Sequence, residues 1–278
     1  MSSPRALEGV PTFASNWLGF WVLAEKTLRA KFIYRLSLLV SLIANALGYV
    51  VFFLVWSEVY RGGGGGALSS ERLFPYLVTA FILNFGLSLN VEVRFGQRLR
   101  QGLITSDLLR PLGFMPFQLA QAVGDAAGNL VLVLPVLGLA MLEFGGALLP
   151  GDLISFGASL LSVGLGLLVN FGVSYLVVQA TFVTSSFYGV YFTRVALHQV
   201  FSGVSAPLVL FPPALRAVAE WMPFRHVVET PVRIWLGHAP LREVPVLLAE
   251  QAAWALGTIT LSVALFRVAL SRHQVQGG

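Results

Sequence analysis

The chain has 278 residues, 56% of them hydrophobic and only 11% charged, with a mean hydropathy of +0.78. A soluble globular domain carries about 25% charged residues; a larger core does not make up that deficit, so composition excludes a water-soluble globule and makes lipid the solvent. The net charge of +5 invites a nucleic-acid reading, which is rejected because membrane orientation accounts for the positive charge.

In chain order, residues 1–10 read as disordered, and no signal peptide is expected, because the first strongly apolar run starts near residue 36 with no small-residue cleavage site after it. From Pro11 to Arg35 the aromatics Phe13, Trp17, Phe20, Trp21 and Phe32 recur at helical spacing among Glu25, Lys26, Arg29 and Lys31. Tryptophan beside lysine suits a bilayer interface, so residues 1–35 are assigned to a cytoplasmic N-terminus and an elbow helix on the inner leaflet. A cytoplasmic extension of the first span is the plainer alternative.

A bilayer is crossed by about 20 apolar residues in a helix. Six runs meet that length: Leu36–Trp56, Leu73–Val91, Met115–Leu142, Leu153–Phe182, Phe187–Phe211 and Val246–Leu270. The fold class is therefore an all-α membrane protein, with residues 36–278 as one six-span transmembrane domain. Gly62 to Gly66 read as a floppy loop after the first span. Asn84, Ser88 and Glu92 share one face of the second span, four apart. Gly124 and Gly128 in the third let another helix approach closely. In the fifth, Arg194, His198, Ser202 and Ser205 form a polar stripe. Between the fifth and sixth, Pro212, Pro213, Pro223, Pro231, Pro240 and Pro245 cut residues 212–245 into short amphipathic helices, expected to fold back at the outer face.

The stretch 92–114, EVRFGQRLRQGLITSDLLRPLGF, carries Arg94, Arg98, Arg100 and Arg110 between two apolar runs. A segment so polar is expected in water or against a partner. With the N-terminus inside, eleven of the 18 Lys and Arg fall on the cytoplasmic side and six outside, with Arg194 within a span. The short loops decide the orientation, so both termini are expected to be cytoplasmic.

Chemistry is sparse. Asp125 and Arg194 are two charges deep inside predicted spans, where charge is costly and usually paired or functional. Their depths differ by roughly 5 Å at 1.5 Å per residue, so an ion pair locking spans three and five is expected. The alternative has Arg194 and His198 facing a wet cavity. No metal site is expected: there is no cysteine and the four histidines are scattered. No glycine precedes a lysine, so there is no P-loop. The chain is not expected to be an enzyme.

The order of these parts resembles the permease subunits of ATP-binding cassette transporters, in the type-2 exporter branch. QGLITSDLLRPLGF, LFPPALRAVAEWMPFRHVVETP and the ending SRHQVQGG carry the resemblance, which covers nearly the whole chain; His273 stands where an aromatic is common in one subgroup. The resemblance implies that 92–114 holds a coupling helix, with Gly102, Leu103, Ile104, Asp107, Leu108, Leu109 and Arg110 against a separate ATPase. A basic loop that merely obeys the orientation rule is the alternative. The resemblance further implies two ATPase copies, which bind the ATP and Mg, and a second permease, with a different chain slightly favoured over a copy of this one. Spans two and five would line the path, placing Asn84, Ser88, Arg194, His198 and Ser202 along it, with interhelical hydrogen bonding as the competing role. The function implied is an exporter permease in a bacterial inner membrane, in contact with lipid and with no nucleic acid; the rival is an ATPase-independent secondary transporter or channel.

Overall fold

The computed structural model describes residues 13–33, 35–64, 68–101, 113–180 and 187–273. The described residues form helices α1 (Phe13–Ile33), α2 (Arg35–Arg61), α3 (Ser70–Gly86), α4 (Val91–Arg100), α5 (Phe114–Phe144), α6 (Leu153–Ala180), α7 (Phe187–Phe201), α8 (Pro213–Glu220), α9 (Glu229–Trp235) and α10 (Val244–His273), with 3-10 turns at Gly145–Leu148, Leu208–Leu210 and Pro223–His226. No strand occurs among the described residues.

Among the described residues, five stretches are long and apolar enough to cross a membrane by length and composition: Leu36–Arg61, Ser70–Arg98, Phe114–Leu148, Leu153–Ala180 and Val244–Phe266. The expected fifth span, Phe187–Phe211, is not one continuous helix. Its helix, α7, stops at Phe201 after 15 residues, about 22 Å at 1.5 Å per residue against a hydrocarbon core of about 30 Å. Gly203, at φ +81°, turns the chain, and Pro207 opens a 3-10 turn. The apolar run continues past the break, and hydropathy registers the run and not its breakers. The proline-rich 212–245 segment does form short helices. Pro213 and Pro223 stand at their starts, where a missing N–H costs nothing, and Gly237, at φ +66°, follows the end of α9.

α6 is the central post. It packs along α10, where Gly172 faces Thr258 so closely that a Cβ would overlap it. Ser262 Oγ donates to the Gly172 carbonyl at 3.1 Å, and the buried Gln251 of α10 accepts from Ser162 Oγ at 2.7 Å and donates to the His226 carbonyl at 2.7 Å. Small residues and interhelical hydrogen bonds replace the hydrophobic drive that is missing between helices in lipid. The glycine pair of α5 receives α1: Gly124 lies against the Ala24 carbonyl and Gly128 against the Lys31 side chain. The helix admitted is thus the N-terminal one, and not another span. α2 leaves Leu36, Val40, Ile43, Leu47 and Val51 exposed, as a lipid-facing helix does.

Candidate functional site

The second apolar run is a broken helix. α3 ends at Gly86, residues 87–90 are non-helical, and α4 restarts at Val91. Broken backbone at membrane depth is tolerated only where its freed polar groups are satisfied inside the protein. Two asparagines from flanking helices do this. Asn129 of α5 donates its amide to the Ser88 carbonyl at 2.8 Å, and Asn170 of α6 donates to the Leu87 carbonyl at 2.7 Å.

Each asparagine also accepts from a cation. Asn129 Oδ1 accepts from Lys31 Nζ of α1 at 2.5 Å, and Asn170 Oδ1 from Arg194 Nη2 of α7 at 2.5 Å. Lys31 donates further to the Asp125 carbonyl at 2.9 Å and lies 3.4 Å from the Asp125 carboxylate. Burial pulls the Lys31 ammonium below the usual lysine range, against the opposing pull of Asp125. Arg194 also donates to Ser174 Oγ at 2.9 Å.

α4 ties the two halves together. Glu92 pairs with Arg194 at 3.2 Å, and Arg94 pairs with Asp125. Residues two apart on a helix do not share a face; Glu92 therefore reaches α7 while Arg94 reaches α5. Glu92 is 1% exposed and Asp125 2%, so these are interior pairs. The other walls of α4 are equally tight: Val91 and Phe95 are buried, and Gly96 abuts the Phe187 ring of α7.

This arrangement corrects the expected Asp125–Arg194 pair. The two were matched in depth, but α4 lies between them laterally and supplies each with its own partner. It also corrects the expectation that 92–114 sits in water or against a partner: its first turns, with Glu92 and Phe95 buried, pack into the chain's own bundle. Gly102, Leu103, Ile104, Asp107, Leu108, Leu109 and Arg110 lie outside the described residues, in the 102–112 link between α4 and α5.

Of the five residues expected along a path, the structure joins two directly. His198 Nε2 lies 2.9 Å from Asn84 Oδ1, and Asn84 donates on to Tyr49 Oη of α2 at 3.3 Å. Arg194 is one helical turn from His198, in the clamp. Ser88 is exposed and takes part through its carbonyl. Ser202 is buried beyond the end of α7, and its carbonyl accepts from the Glu229 N–H at 3.0 Å. Among the described residues no group of three or more potential ligands could hold a metal.

Sequence reasoning missed Lys31, Arg94, Asn129 and Asn170 as members of one network. A signal was present: the buried stretches offer two carboxylates, Glu92 and Asp125, and a cation deep in α7. Charge balance at depth asks which carboxylate each cation takes, and only the lateral order of helices answers it.

No curated protein matches the chain. A family model described as ABC-2 family transporter protein matches residues 39–277, which takes in the broken helix, the asparagine clamp and the short helices near α9. With five apolar helical stretches long enough to span among the described residues, this is a multi-pass membrane protein, and the chain belongs to the ABC-2 family of transporter proteins.

Proposed function

We propose that the chain is the permease subunit of an ATP-driven exporter, forming half of a translocation path in the bacterial inner membrane. A separate ATPase, in two copies, docks on the 102–112 link, and a second permease completes the path; a different chain is favoured slightly over a second copy. Both termini are cytoplasmic. ATP and Mg belong to the ATPase chains.

One observation carries this reading: the helix leading directly into the 102–112 link is severed from α3 and bolted by ion pairs to α5 and α7. A push delivered at 102–112 enters α4 as a rigid rod. The break at 87–90 lets α4 move without bending α3, and the pairs carry the motion to α5, on which α1 sits, and to α7, whose His198 touches Asn84. The lipid-facing α2 and the many apolar walls suit an amphipathic substrate.

The test uses the chain's lack of cysteine. A Ser106→Cys variant should react with a membrane-impermeant maleimide in inverted vesicles and not in intact cells. Replacing Leu108 and Leu109 by Asp should abolish co-purification with the ATPase while leaving the permease folded in detergent. Labelling from the outside of intact cells, or substrate transport by the purified chain alone, would overturn the proposal.

A further inference from the structure

At the opposite end of α3 from the break lies a second polar cluster. Arg72, in the first turn of α3, is separated from Leu87 by roughly 20 Å at 1.5 Å per residue. Here a cavity of about 160 Å³ is lined by Arg72 of α3, Arg216 of α8, Arg225 of the 3-10 turn and Arg233 of α9. Four guanidiniums from four separate elements converge in a chain that is only 11% charged.

Their neutralisation is incomplete. Arg216 pairs with Glu220 at 2.8 Å on an exposed turn, and Arg225 with Glu250 at 2.6 Å. Arg233 reaches Glu243 only at 3.9 Å, the outer limit of an ion pair. Arg72 has no acidic partner among the described residues. Glu220 and Glu229 line the cavity themselves, while Glu243 and Glu250 reach Arg233 and Arg225 without being part of its lining, so Arg72 is the guanidinium of the four without an acidic partner among the described residues. His238 adds no charge: burial, and then Arg72 and Arg233, hold its pKa below the usual histidine range.

Two lining groups are buried with hydrogen-bonding capacity unused. Glu229 is 7% exposed; the Leu208 N–H holds its carboxylate, yet Oε2 has no partner. Arg225 Nε is likewise buried and unpartnered. A buried polar atom left unsatisfied is costly, and both atoms belong to residues of the same cavity wall. An oxyanion accepts from guanidinium forks, and a protonated carboxyl is one of the few acidic groups that can donate to it. Planar guanidinium forks match phosphate geometry, and the volume is on the scale of a headgroup rather than of a whole lipid.

We propose that this cavity is a binding site for a phosphate-type oxyanion, with Arg72, Arg216, Arg225 and Arg233 as donors beside the unpartnered carboxyl oxygen of Glu229. The oxyanion is either the headgroup of an anionic lipid or a free phosphate compound. The site is independent of the ATPase-docking reading.

The full chain in nanodiscs supplies the test. Inorganic phosphate is titrated in phosphatidylcholine discs, and lipid retention is measured by native mass spectrometry in discs containing phosphatidylglycerol as well. Arg72→Gln and Arg216→Gln, at exposed positions, are chosen because they leave the fold intact, checked by unfolding in the same discs. Phosphate binding weakened about tenfold by each variant, the cost of about one charge-assisted contact, supports the site with a free oxyanion. Retained phosphatidylglycerol lost in the variants, without phosphate binding, supports it with a lipid headgroup. If the wild type takes neither probe, or the variants bind both as well as the wild type does, the proposal is overturned.

Discussion

The two polar clusters at the ends of α3 are built on opposite plans. Around the break, three cations and two carboxylates are woven with two asparagines so that each charge has an opposite partner and the exposed carbonyls have donors. At the other end, Arg72 has no acidic partner among the described residues, and the Arg233–Glu243 pair is stretched to 3.9 Å. In lipid a network in which every charge is paired fixes geometry, while a cation left unpaired awaits an opposite charge. The first cluster is a mechanical joint and the second a receptor. Substitutions that remove a partner should therefore cost stability at the joint, whereas at the receptor they should alter ligand binding without costing stability.

The largest effect is expected at Asp125. Asp125→Ala strips the counter-charge from both Lys31 and Arg94, and breaking a buried pair from one side costs about 3–5 kcal/mol. Denaturant unfolding in detergent measures it. A loss below about 1 kcal/mol would remove the joint reading. Next comes Glu229, whose pKa burial pushes up to about 7 from 4.5, against the opposing pull of Arg233. The carboxyl is neutral in both folded and unfolded chains below pH 4.5. As pH rises to 7 the unfolded chain ionises first, so stability is lost across that window and not regained above it. The loss approaches about 3 kcal/mol, at 1.36 kcal/mol per pKa unit. Glu229→Gln should therefore stabilise the protein at pH 8 by a similar amount and change little at pH 4. Equal effects at both pH values would place Glu229 in the paired class with Asp125.

These two residues also mark what could be read before the structure was known. Composition alone placed the chain in lipid, and the spans through α2, α3, α5, α6 and α10 followed from long apolar runs. The helical pieces of 212–245 were legible because prolines fix where helices start and stop. The break at 87–90 was not, because no proline marks it: Leu87, Ser88, Leu89 and Asn90 look like continued span. The carbonyls that the break frees are met by donors on other helices, Asn129 and Asn170, and such long-range partners leave no local signature. The same limit explains the wrong partner for Asp125. Depth along a helix is set by sequence spacing, but the neighbour across the gap depends on how α4 is wedged between α5 and α7. The cluster around Glu229 was not read: Arg225 and Arg233 lie only four residues to either side of it, but Arg72 comes from the start of α3 and Arg216 from α8.

A smaller effect separates the two halves of the joint. In a double-mutant cycle, Glu92→Gln with Arg194→Gln should show a coupling of about 1–3 kcal/mol, as for residues in one network. Asp125→Asn with Arg194→Gln should be additive within about 0.5 kcal/mol, as for separate sites. Strong coupling in the second cycle would restore the direct pair that depth matching suggested, and would mean α4 does not insulate one side from the other.

The smallest stability change is expected where the ligand effect is expected to be clear. Arg72 is exposed and lacks an acidic partner among the described residues, so it gains little from its surroundings in the folded chain. Its field acts instead on the cavity, where it helps keep His238 uncharged. Removing it in Arg72→Gln should shift unfolding by less than about 0.5 kcal/mol, the usual range for a surface change. Any change should be towards stability, since the repulsion between Arg72 and the other arginines is then removed. Of the four guanidiniums that line the cavity, Arg72 is the one an incoming anion could meet without displacing a carboxylate. If Arg72→Gln instead destabilised the protein by more than about 2 kcal/mol, Arg72 would belong with Lys31 and Arg94 as a structural cation, and the contrast between joint and receptor would fail at the receptor end.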